Sequence, residues 1–475
     1  MRSRREQIRA YRFVTRRIVS ALLGNEPDGV DVPLRRAGLT TFASVMVGAV
    51  ALAGFGVYGL VRPGGDTSWR QAGALIVEKD TGTRFVYRAG RLHPVLNYAS
   101  ARLVLGAPQV TVVTVAAASL AGVPRGRPVG IPDAPDALPT VDRLAASPWS
   151  VCATRDPHTA GHEPIVTVLV GTRYRGADAL ADRGLLVSTD DTGTYLVWHG
   201  HRLRVPSRTG LSSLGWASHP TLRVAPAFLD ALPAGPDVAA PDVPHAGEHG
   251  PRIAGRPGTV GAVYRVTAPN GTDQYTVLLA DGLAPVSPVT ADLLLGSAGR
   301  TAPARLSPTG FDRAPRSDTR LEPAGALDRR PQLATVPDEA GPAVCAAYRR
   351  GGDSVEVYRE APEPVTDRDP AGPVGGTAPG APTATAVVVP GGGGALVRAV
   401  PAPGVSSGAM FLITDQGVRY GVPGARARAA LGYGDVTPVP VPAELVELVP
   451  AGPALDPTAA DRYTTPGSSA PVPSR

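Results

Sequence analysis

One histidine pair in this chain has a type and spacing that could bind a metal ion. Three residues separate His158 from His162, and on a helix the two side chains would share one face and could ligate zinc. Pro157 and Pro164 flank the pair, Thr-Ala-Gly lies within it, and no cysteine cluster accompanies it. Because this composition favours a loop, the sequence predicts no metal site.

Residues for nucleotide or hydrolytic chemistry are the next candidates. A phosphate-binding loop needs Gly-Lys-Ser/Thr, but Lys79 is the only lysine and no such loop surrounds it. Gly391–Gly394 is typical of a flexible turn, and no Gly-x-Ser-x-Gly lies in a strand–turn–helix context. Asp190, Asp191 and Asp415 lie at turns, where aspartate usually bonds the turn backbone. We therefore expect no catalytic residue and no cofactor, and an assembly or binding role in preference to turnover.

Two cysteines, Cys152 and Cys345, each lie in an apolar, strand-like segment. An even count in an oxidising compartment indicates one disulfide, and the alternative is two buried free thiols. A bond across so long a loop would stabilise the fold by roughly 5 kcal/mol on the loop-entropy model.

A transmembrane segment is the element that decides where these residues lie. The run from Ala37 to Val61 contains no charged residue and is long enough to cross a bilayer. A cleaved signal peptide is the alternative, but its apolar core would be shorter and nearer the start. Only Arg62 and Arg70 closely follow the span, whereas many arginines precede it: Arg2, Arg4, Arg5, Arg9, Arg12, Arg16, Arg17, Arg35 and Arg36. The positive-inside rule then predicts a cytoplasmic N-terminus and an extracytoplasmic C-terminal part.

The charge of the chain argues against nucleic-acid binding. The formal net charge is +6, and beyond the N-terminus the arginines are interspersed with Asp and Glu. Before the span, residues 3–24 predict an amphipathic helix. Arginines occupy most of its faces, and one face carries residues spaced by three and four: Ile8, Tyr11, Thr15, Ile18 and Leu22. Such a helix could lie on an anionic inner leaflet or dock on a partner protein.

Internal repetition is the strongest signal beyond the span. Each unit reads as an apolar strand, a polar turn ending in glycine, a second strand and a Leu-Gly pair, which predicts a hairpin and a short helix closed by glycine. The units begin at Ile76, Val187, Tyr264 and Phe411. Their turn glycines are Gly82, Gly193, Gly271 and Gly417. Their Leu-Gly pairs are Leu105-Gly106, Leu214-Gly215, Leu295-Gly296 and Leu431-Gly432.

A second element follows three of the units. It reads Val, eight residues, Pro, one residue and Gly, and it predicts a short helix and a turn. The copies are Val115…Pro124-Arg125-Gly126, Val224…Pro233-Ala234-Gly235 and Val441…Pro450-Ala451-Gly452.

The order of these elements predicts a quasi-twofold molecule, because each half reads repeat, Cys-bearing segment, repeat. The expected fold class is α+β, mostly β: a quasi-twofold extracytoplasmic domain with a central β core and four small flanking repeats, plus one transmembrane helix and an N-terminal amphipathic helix. A Cys152–Cys345 bond would join the halves near the pseudo-axis.

The predicted domains follow from these elements and from Pro/Gly-rich stretches. They are a cytoplasmic amphipathic segment (1–38), the transmembrane helix (39–61), the first repeat (62–135), the first half of the β core (136–186), the second repeat (187–257), the third repeat (258–298), a linker with the second half of the core (299–361), a disordered insertion (362–384), the end of the core with the fourth repeat (385–456) and a flexible tail (457–475).

Several segments together resemble the EccB family, the single-pass membrane component of type VII (ESX) secretion systems in actinobacteria. They are the opening RREQIRAYRFVTRRIVSAL, the Pro33–Arg36 segment, the Asp-x-Gly repeats, the two cysteines, VVVPGGGGALVRA at 387–399 and LVPAGPALD at 448–456. The resemblance covers nearly the whole chain. The 362–384 insertion and the degenerate third repeat depart from the family pattern.

The resemblance implies a structural subunit of a secretion channel in the cell membrane. It implies EccC-, EccD- and EccE-like partners, an associated MycP-like protease, contacts between copies outside the membrane, and a disulfide carried here by Cys152 and Cys345. The N-terminal segment would dock on partners through Arg5, Tyr11, Phe13, Arg16 and Arg17. Some members are described as ATPases, so ATP hydrolysis is one alternative, although no Walker loop supports it; a cell-wall-binding module is another.

Overall fold

The computed structural model describes residues 4–24, 33–61, 67–107, 109–145, 148–155, 164–171, 179–190, 193–335, 344–348, 355–358, 383–402 and 404–462. His158, His162, Asp191, residues 362–382 of the predicted insertion and residues 463–475 of the predicted tail lie outside them. The chain forms two compact units. One comprises Met1–Arg70, Glu78–Gly82 and Thr114–Val123, and the other comprises Gln71–Val77, Thr83–Val113 and Pro124–Arg475.

The helices and strands are numbered in chain order. The α-helices are α1 (Arg4–Gly24), α2 (Pro33–Val61), α3 (Tyr98–Leu105), α4 (Arg208–Ser213), α5 (Pro226–Ala231), α6 (Pro288–Ser297), α7 (Pro308–Asp312), α8 (Gly424–Ala430), α9 (Ala443–Glu447) and α10 (Pro457–Ala460). Short 3-10 helices span Ser68–Arg70, Ala117–Leu120 and Val141–Arg143. The first strands are β1 (Ala74–Glu78), β2 (Arg84–Arg88), β3 (Arg91–Pro94), β4 (Thr111–Val115), β5 (Trp149–Arg155), β6 (Pro164–Val170), β7 (Leu185–Thr189), β8 (Gly193–Trp198), β9 (His201–Val205), β10 (Leu222–Arg223), β11 (His249–Ile253) and β12 (Arg256–Thr259). The remaining strands are β13 (Val263–Thr267), β14 (Asp273–Leu278), β15 (Leu283–Val286), β16 (Ala304–Arg305), β17 (Val344–Tyr348), β18 (Val355–Tyr358), β19 (Ala386–Val388), β20 (Gly394–Val400), β21 (Met410–Thr414), β22 (Arg419–Gly421) and β23 (Val439–Pro442).

The N-terminal helices match the predicted segments. Helix α1 covers the predicted amphipathic helix. Within α2, Gly38–Tyr58 is long and apolar enough to cross a membrane by length and composition. A helix suits that environment because it satisfies its backbone hydrogen bonds internally.

Four four-stranded sheets share one topology. In each sheet the strands are ordered third, second, first, fourth in chain order: β3-β2-β1-β4, β9-β8-β7-β10, β15-β14-β13-β16 and β22-β21-β20-β23. The first three strands form antiparallel hairpins, and in sheets two, three and four the fourth strand is parallel to the first. A short helix precedes each fourth strand. We call these β-β-β-α-β units repeats 1 to 4.

Local sequence signals set the turns and helix ends. Gly82 takes φ +71° in the first hairpin of repeat 1, a conformation that glycine adopts without steric cost. Asn97 caps α3 by accepting a hydrogen bond from the Ser100 N–H, and Gly106 ends it in the left-handed region. The Leu-Gly signal therefore closes this helix as the sequence predicts, and Gly215 and Gly432 follow α4 and α8 in the same left-handed region.

Two repeat assignments are wrong in detail. Gly417 lies between the second and third strands of repeat 4, so it corresponds to Gly90 and Gly200 and not to Gly82; Phe411 belongs to the second strand, and the repeat begins at β20. Consecutive hairpins have similar turn patterns, so the same sequence pattern fits either the first or the second hairpin of a repeat. Gly296 lies inside α6, which runs on to Ser297, and Gly299 takes the left-handed conformation instead.

The Pro-x-Gly element returns the chain to the third strand of its repeat. In repeat 4 the Arg419 N–H donates to the Pro450 C=O (2.8 Å) and the Gly452 N–H donates to the Arg419 C=O (2.8 Å). The same pair of bonds joins Leu92 to Pro124 and Gly126, and Arg202 to Pro233 and Gly235. The element thus covers the outer edge of the third strand.

Repeat 3 contains a fourth copy of this element that the sequence pattern missed. The Leu283 N–H donates to the Pro315 C=O (2.8 Å) and the Ser317 N–H donates to the Leu283 C=O (3.0 Å). Leu306 stands nine residues before Pro315, where the other copies have valine, and Ser317 replaces glycine. The spacing is kept, so a search by spacing alone would have found it.

A five-stranded central sheet combines both halves of the chain in the order β18-β17-β5-β6-β19. The central strand, β5, pairs antiparallel with its neighbour β17, and Cys152 lies directly opposite Cys345. One face packs against α5 and α9 in a core that contains Trp149, Phe228 and Leu445. The halves are thus joined through backbone pairing as well as side-chain packing.

Equivalent backbone contacts precede the cysteine-bearing strand in each half of the chain. The Ala145 N–H, ahead of β5, donates to the Gly394 C=O of repeat 4 (2.7 Å). The Ala334 N–H, ahead of β17, donates to the Gly184 C=O at the start of repeat 2 (2.7 Å). The predicted α+β, mostly β class with one candidate membrane helix is confirmed.

Candidate functional site

The disulfide lies within the five-stranded central sheet. Cys152 and Cys345 are bonded and fully buried, and Leu169 and Val388 pack beside them on the face opposite α5 and α9. The linked residues are 193 positions apart in sequence. The bond therefore fixes β5 against β17 and closes the repeats between them into one covalent loop.

Packing between helices joins the repeats in pairs. In repeats 1 and 4, α3 contacts α8, and the Arg102 Nε donates to the Ala430 C=O at the end of α8 (3.0 Å). In repeats 2 and 3, α4 contacts α6. There a Cβ atom on Gly296 would stand 1.8 Å from the Ser213 Oγ, so glycine inside α6 permits the close approach of the helices.

The segment after repeat 4 returns to repeat 1. The Leu455 N–H donates to the Gly421 C=O (2.7 Å), and Leu455 is fully buried. Asp456 caps α10, which packs against α3, and Asp461 forms an ion pair with Arg88 of repeat 1. We call residues 453–462 the closing segment. No sequence pattern predicted this contact with repeat 1, because the segment reads as a short Pro/Ala-rich stretch.

The turn aspartates have structural partners. Asp190 pairs with Arg223 of β10, and that guanidinium lowers the pKa of the carboxyl group below its usual value. Asp415 accepts a hydrogen bond from the Gly392 N–H (2.7 Å). Both side chains therefore hold loops, as Asp at turns commonly does.

Two tyrosine hydroxyls anchor buried backbone carbonyls. Tyr348 of β17 donates to the Ala231 C=O at the end of α5, and Tyr433 donates to the Pro139 C=O (2.7 Å). Burial raises the pKa of both phenols well above the ordinary value of 10.0. Their neutral form is thus part of the packing between the core and the repeats.

Lys79 lies in the β1–β2 turn, and its backbone N–H donates to the Val115 C=O (2.8 Å). Glu78 and Asp80 flank it, so its surroundings are acidic. A phosphate-binding lysine needs the opposite environment, a glycine-rich loop whose N–H groups face the anion.

The proposed docking residues of α1 are exposed. Tyr11 and Phe13 are 77% and 65% accessible, and the side chains of Arg5, Arg16 and Arg17 are also exposed. Tyr11 lies on the face of Ile8 and Ile18, whereas the helical period of 3.6 places Phe13 on the opposite side. These residues therefore form two surfaces and not one.

A cavity of about 200 Å³ lies beside α6 between repeats 2 and 3. Its lining is largely apolar, with Leu203, Val289 and Leu293. The acidic Glu322 in the lining accepts the Ser287 N–H at the start of α6 (2.6 Å). Among the described residues, no group of three or more His, Cys, Asp or Glu side chains could hold a metal ion.

Comparison with known proteins agrees with this architecture. The family profile described as "Type VII secretion system ESX-1, transport TM domain B" matches residues 2–465. A relative in Mycolicibacterium smegmatis, "ESX-3 secretion system ATPase EccB3", is 32% identical over 95% of this chain and 89% of its own. "ESX-2 secretion system ATPase EccB2" of Mycobacterium tuberculosis is 31% identical over 96% of this chain and 94% of its own.

Solved structures give the same result. A chain of an intact ESX-5 inner membrane complex aligns with a TM-score of 0.65 and 27% identity, covering 100% of this chain and 98% of that chain. A chain of an EccB3 dimer from an ESX-3 core complex aligns with a TM-score of 0.62 and 28% identity, covering 82% of this chain and 100% of that chain. The profile match spans nearly every residue, including the transmembrane helix, the central sheet and all four repeats, and on that basis the chain belongs to the EccB family of type VII secretion systems.

Proposed function

We propose that this protein is a structural subunit of a type VII secretion complex in the cell membrane, where its outer domain stabilises the channel through which proteins are exported. One observation carries the proposal: a chain of the ESX-5 inner membrane complex aligns over all of this chain. The internal organisation supports it, since the disulfide crosslinks the central sheet and helix contacts join the repeats in pairs, which suits a structural role.

The proposed topology places α1 in the cytoplasm and everything after α2 outside it. The support is the arginine distribution around the span, because short flanking segments rich in arginine remain on the cytoplasmic side. The disulfide agrees with this orientation, since structural disulfides persist in oxidising compartments.

The proposed partners are EccC-, EccD- and EccE-like subunits, a MycP-like protease and further copies of this chain. Solved relatives occur in inner membrane complexes and as a dimer. Exposed aromatic and basic side chains on α1 are suited to docking on cytoplasmic partner domains: Arg5, Tyr11, Phe13, Arg16 and Arg17.

Gene deletion followed by an export assay tests this function. Loss of the chain should abolish secretion of small WxG-type helical substrates, and the full-length chain supplied in trans should restore it. Normal secretion in the deletion strain would overturn the proposal.

A further inference from the structure

The two edge strands of each repeat sheet differ in whether another segment of the chain covers them. The third strand is covered by the Pro-x-Gly element, or by Pro315-Arg316-Ser317 in repeat 3. The fourth strand is the opposite edge. An uncovered edge strand presents unpaired N–H and C=O groups and invites pairing with another chain unless something blocks it.

Three of the fourth strands carry features that prevent such pairing. Strand β10 has two residues, and its Arg223 pairs with Asp190. Strand β16 also has two residues and includes the exposed Arg305. Strand β23 is longer but contains Pro440 and Pro442, which have no N–H to donate.

Strand β4 of repeat 1 has none of these features. Its five residues read Thr-Val-Val-Thr-Val, all β-branched, and Thr111, Val112 and Thr114 are exposed. The uncharged run extends well beyond the strand, from Gly106 to Val123. Long, uncharged and β-branched edges are those that natural proteins usually avoid leaving open.

The hydrogen-bond pattern shows which groups face outward. The Val115 C=O accepts the Lys79 N–H, so the backbone groups of Val115 point toward the sheet interior. Because alternate residues of an edge strand point in opposite directions, the N–H and C=O groups of Val112 and Thr114 face away from the sheet. Within the described residues, no protein group is hydrogen-bonded to these outward groups.

We propose that β4 pairs antiparallel with β4 of a second copy of this chain, so that the two repeat 1 sheets become continuous. Val112 would bond Thr114 of the second copy and Thr114 would bond its Val112, which uses about four donor–acceptor pairs. Val113 would lie opposite Val113 of the second copy. A twofold pair brings each side chain near its own counterpart, and only an uncharged strand does so without like-charge repulsion.

This inference rests on the proposed function in one respect, the self-association of the outer domain. It adds the surface, the strand direction and the register. The occupant is a second copy because the strand is uncharged and its outward N–H and C=O groups complement those of an identical antiparallel strand. Pairing of identical surfaces is also the commonest way in which protein oligomers form.

Cysteine cross-linking in native membranes tests the pairing with the full-length chain. The two native cysteines are bonded to each other, so Val113→Cys introduces the only free thiol. Directly opposed residues in a non-hydrogen-bonded pair are close enough for a disulfide, and mild oxidation should give a covalent dimer. Val439→Cys is the matched control, because it occupies the equivalent position of the proline-containing β23.

The expected result is at least about tenfold more dimer for Val113→Cys than for Val439→Cys. Thr114→Pro copies Pro440, which repeat 4 accommodates at the equivalent position, and in the Val113→Cys background it should remove most of the dimer. Equal cross-linking of the two cysteine variants, or a dimer unaffected by Thr114→Pro, would overturn the inference. Co-purification of Val113→Cys with the other secretion subunits is scored separately, so loss of the β4 pair alone leaves the proposed function standing.

Discussion

Gly452 lies so close to the ring of Tyr420 that a Cβ atom on it would stand 2.4 Å from Cε1. The same relation recurs between Gly126 and His93, at 2.3 Å, and between Gly235 and Leu203, at 3.1 Å. In each case the glycine of the Pro-x-Gly element packs on the side chain one residue beyond its backbone partner in the third strand. In repeat 3 the sizes of the two side chains are exchanged: Ser317 replaces the glycine, and the strand residue at this position is the small Ala284.

The first prediction concerns this size complementarity. Gly452→Ala should destabilise the protein by about 1–3 kcal/mol, because Tyr420 is buried and cannot move without disturbing the core. Urea unfolding of the purified full-length chain measures the change. Gly235→Ala should cost less, since its Cβ would meet Leu203 at 3.1 Å.

A double-mutant cycle separates the clash from other effects of the substitution. In the Tyr420→Ala background the cost of Gly452→Ala should shrink toward zero, because the opposing ring is gone. If the cost is the same in both backgrounds, the contact is not the cause.

The disulfide gives the second prediction. Replacing Cys152 and Cys345 together with serine should lower the free energy of unfolding by about 2–5 kcal/mol, since the bond closes a very long loop. The measurement is chemical unfolding of the variant and the wild-type chain without reductant. As a control, the wild-type chain is also unfolded in the presence of reductant, which should lower its stability in the same way. An unchanged unfolding midpoint would show that backbone pairing of β5 and β17 holds the sheet without the bond.

The buried tyrosines give a pH dependence. Burial raises the folded-state pKa of Tyr348 and Tyr433 above the value of 10.0 expected when unfolded. Their contribution is therefore fully present below pH 10 and is lost as the pH rises above it, by up to about 1.4 kcal/mol per pH unit for each tyrosine.

A phenylalanine variant tests whether stability falls with rising pH as predicted. Tyr348→Phe should cost about 1–3 kcal/mol at pH 7, because the Ala231 C=O loses its donor. The difference in the free energy of unfolding between wild type and Tyr348→Phe should narrow between pH 10 and 11. The wild type loses stability there, whereas phenylalanine does not ionise. A difference that stays constant over this interval contradicts the assignment.

The closing segment gives the fourth prediction. Leu455→Ala should destabilise the protein by about 2–5 kcal/mol, because Leu455 is fully buried in the core shared by repeats 1 and 4. Leu455→Met preserves volume and should cost less than about 1.5 kcal/mol. Asp461→Ala removes an ion pair that is about half exposed and should cost at most about 1 kcal/mol. Thermal unfolding of the three variants ranks these effects. A large loss of stability in Asp461→Ala with none in Leu455→Ala would show that the ion pair, and not the buried leucine, holds the closing segment.

Sequence patterns predicted the repeating parts of this fold because local rules determine them. An uncharged run was enough to predict the span from Ala37 to Val61. A helix end that requires a left-handed residue was enough to predict the role of Gly106. Gly296 has the same Leu-Gly signal and a different cause, because its small size serves the contact with Ser213 on another helix. A contact between distant segments leaves no local pattern to distinguish the two cases.

The pairing of elements was less accessible to sequence reasoning. The two cysteines suggested a bond, but the direct opposition of β5 and β17 depends on strand register in the folded chain. The return of α10 to α3 likewise joins segments more than 350 residues apart, since Arg88 and Asp461 are separated by 373 positions. The cysteine pair and the symmetry in the order of elements were the sequence features that indicated long-range pairing.

Native purification of the complex from its own membranes tests the central claim most directly. A tagged full-length chain, extracted in mild detergent, should co-purify in one large assembly with EccC-, EccD- and EccE-like proteins, and the assembly should be absent when the gene is deleted. If instead the chain migrates alone while an intact assembly of the other subunits persists in the deletion strain, it is not a structural subunit of the secretion complex.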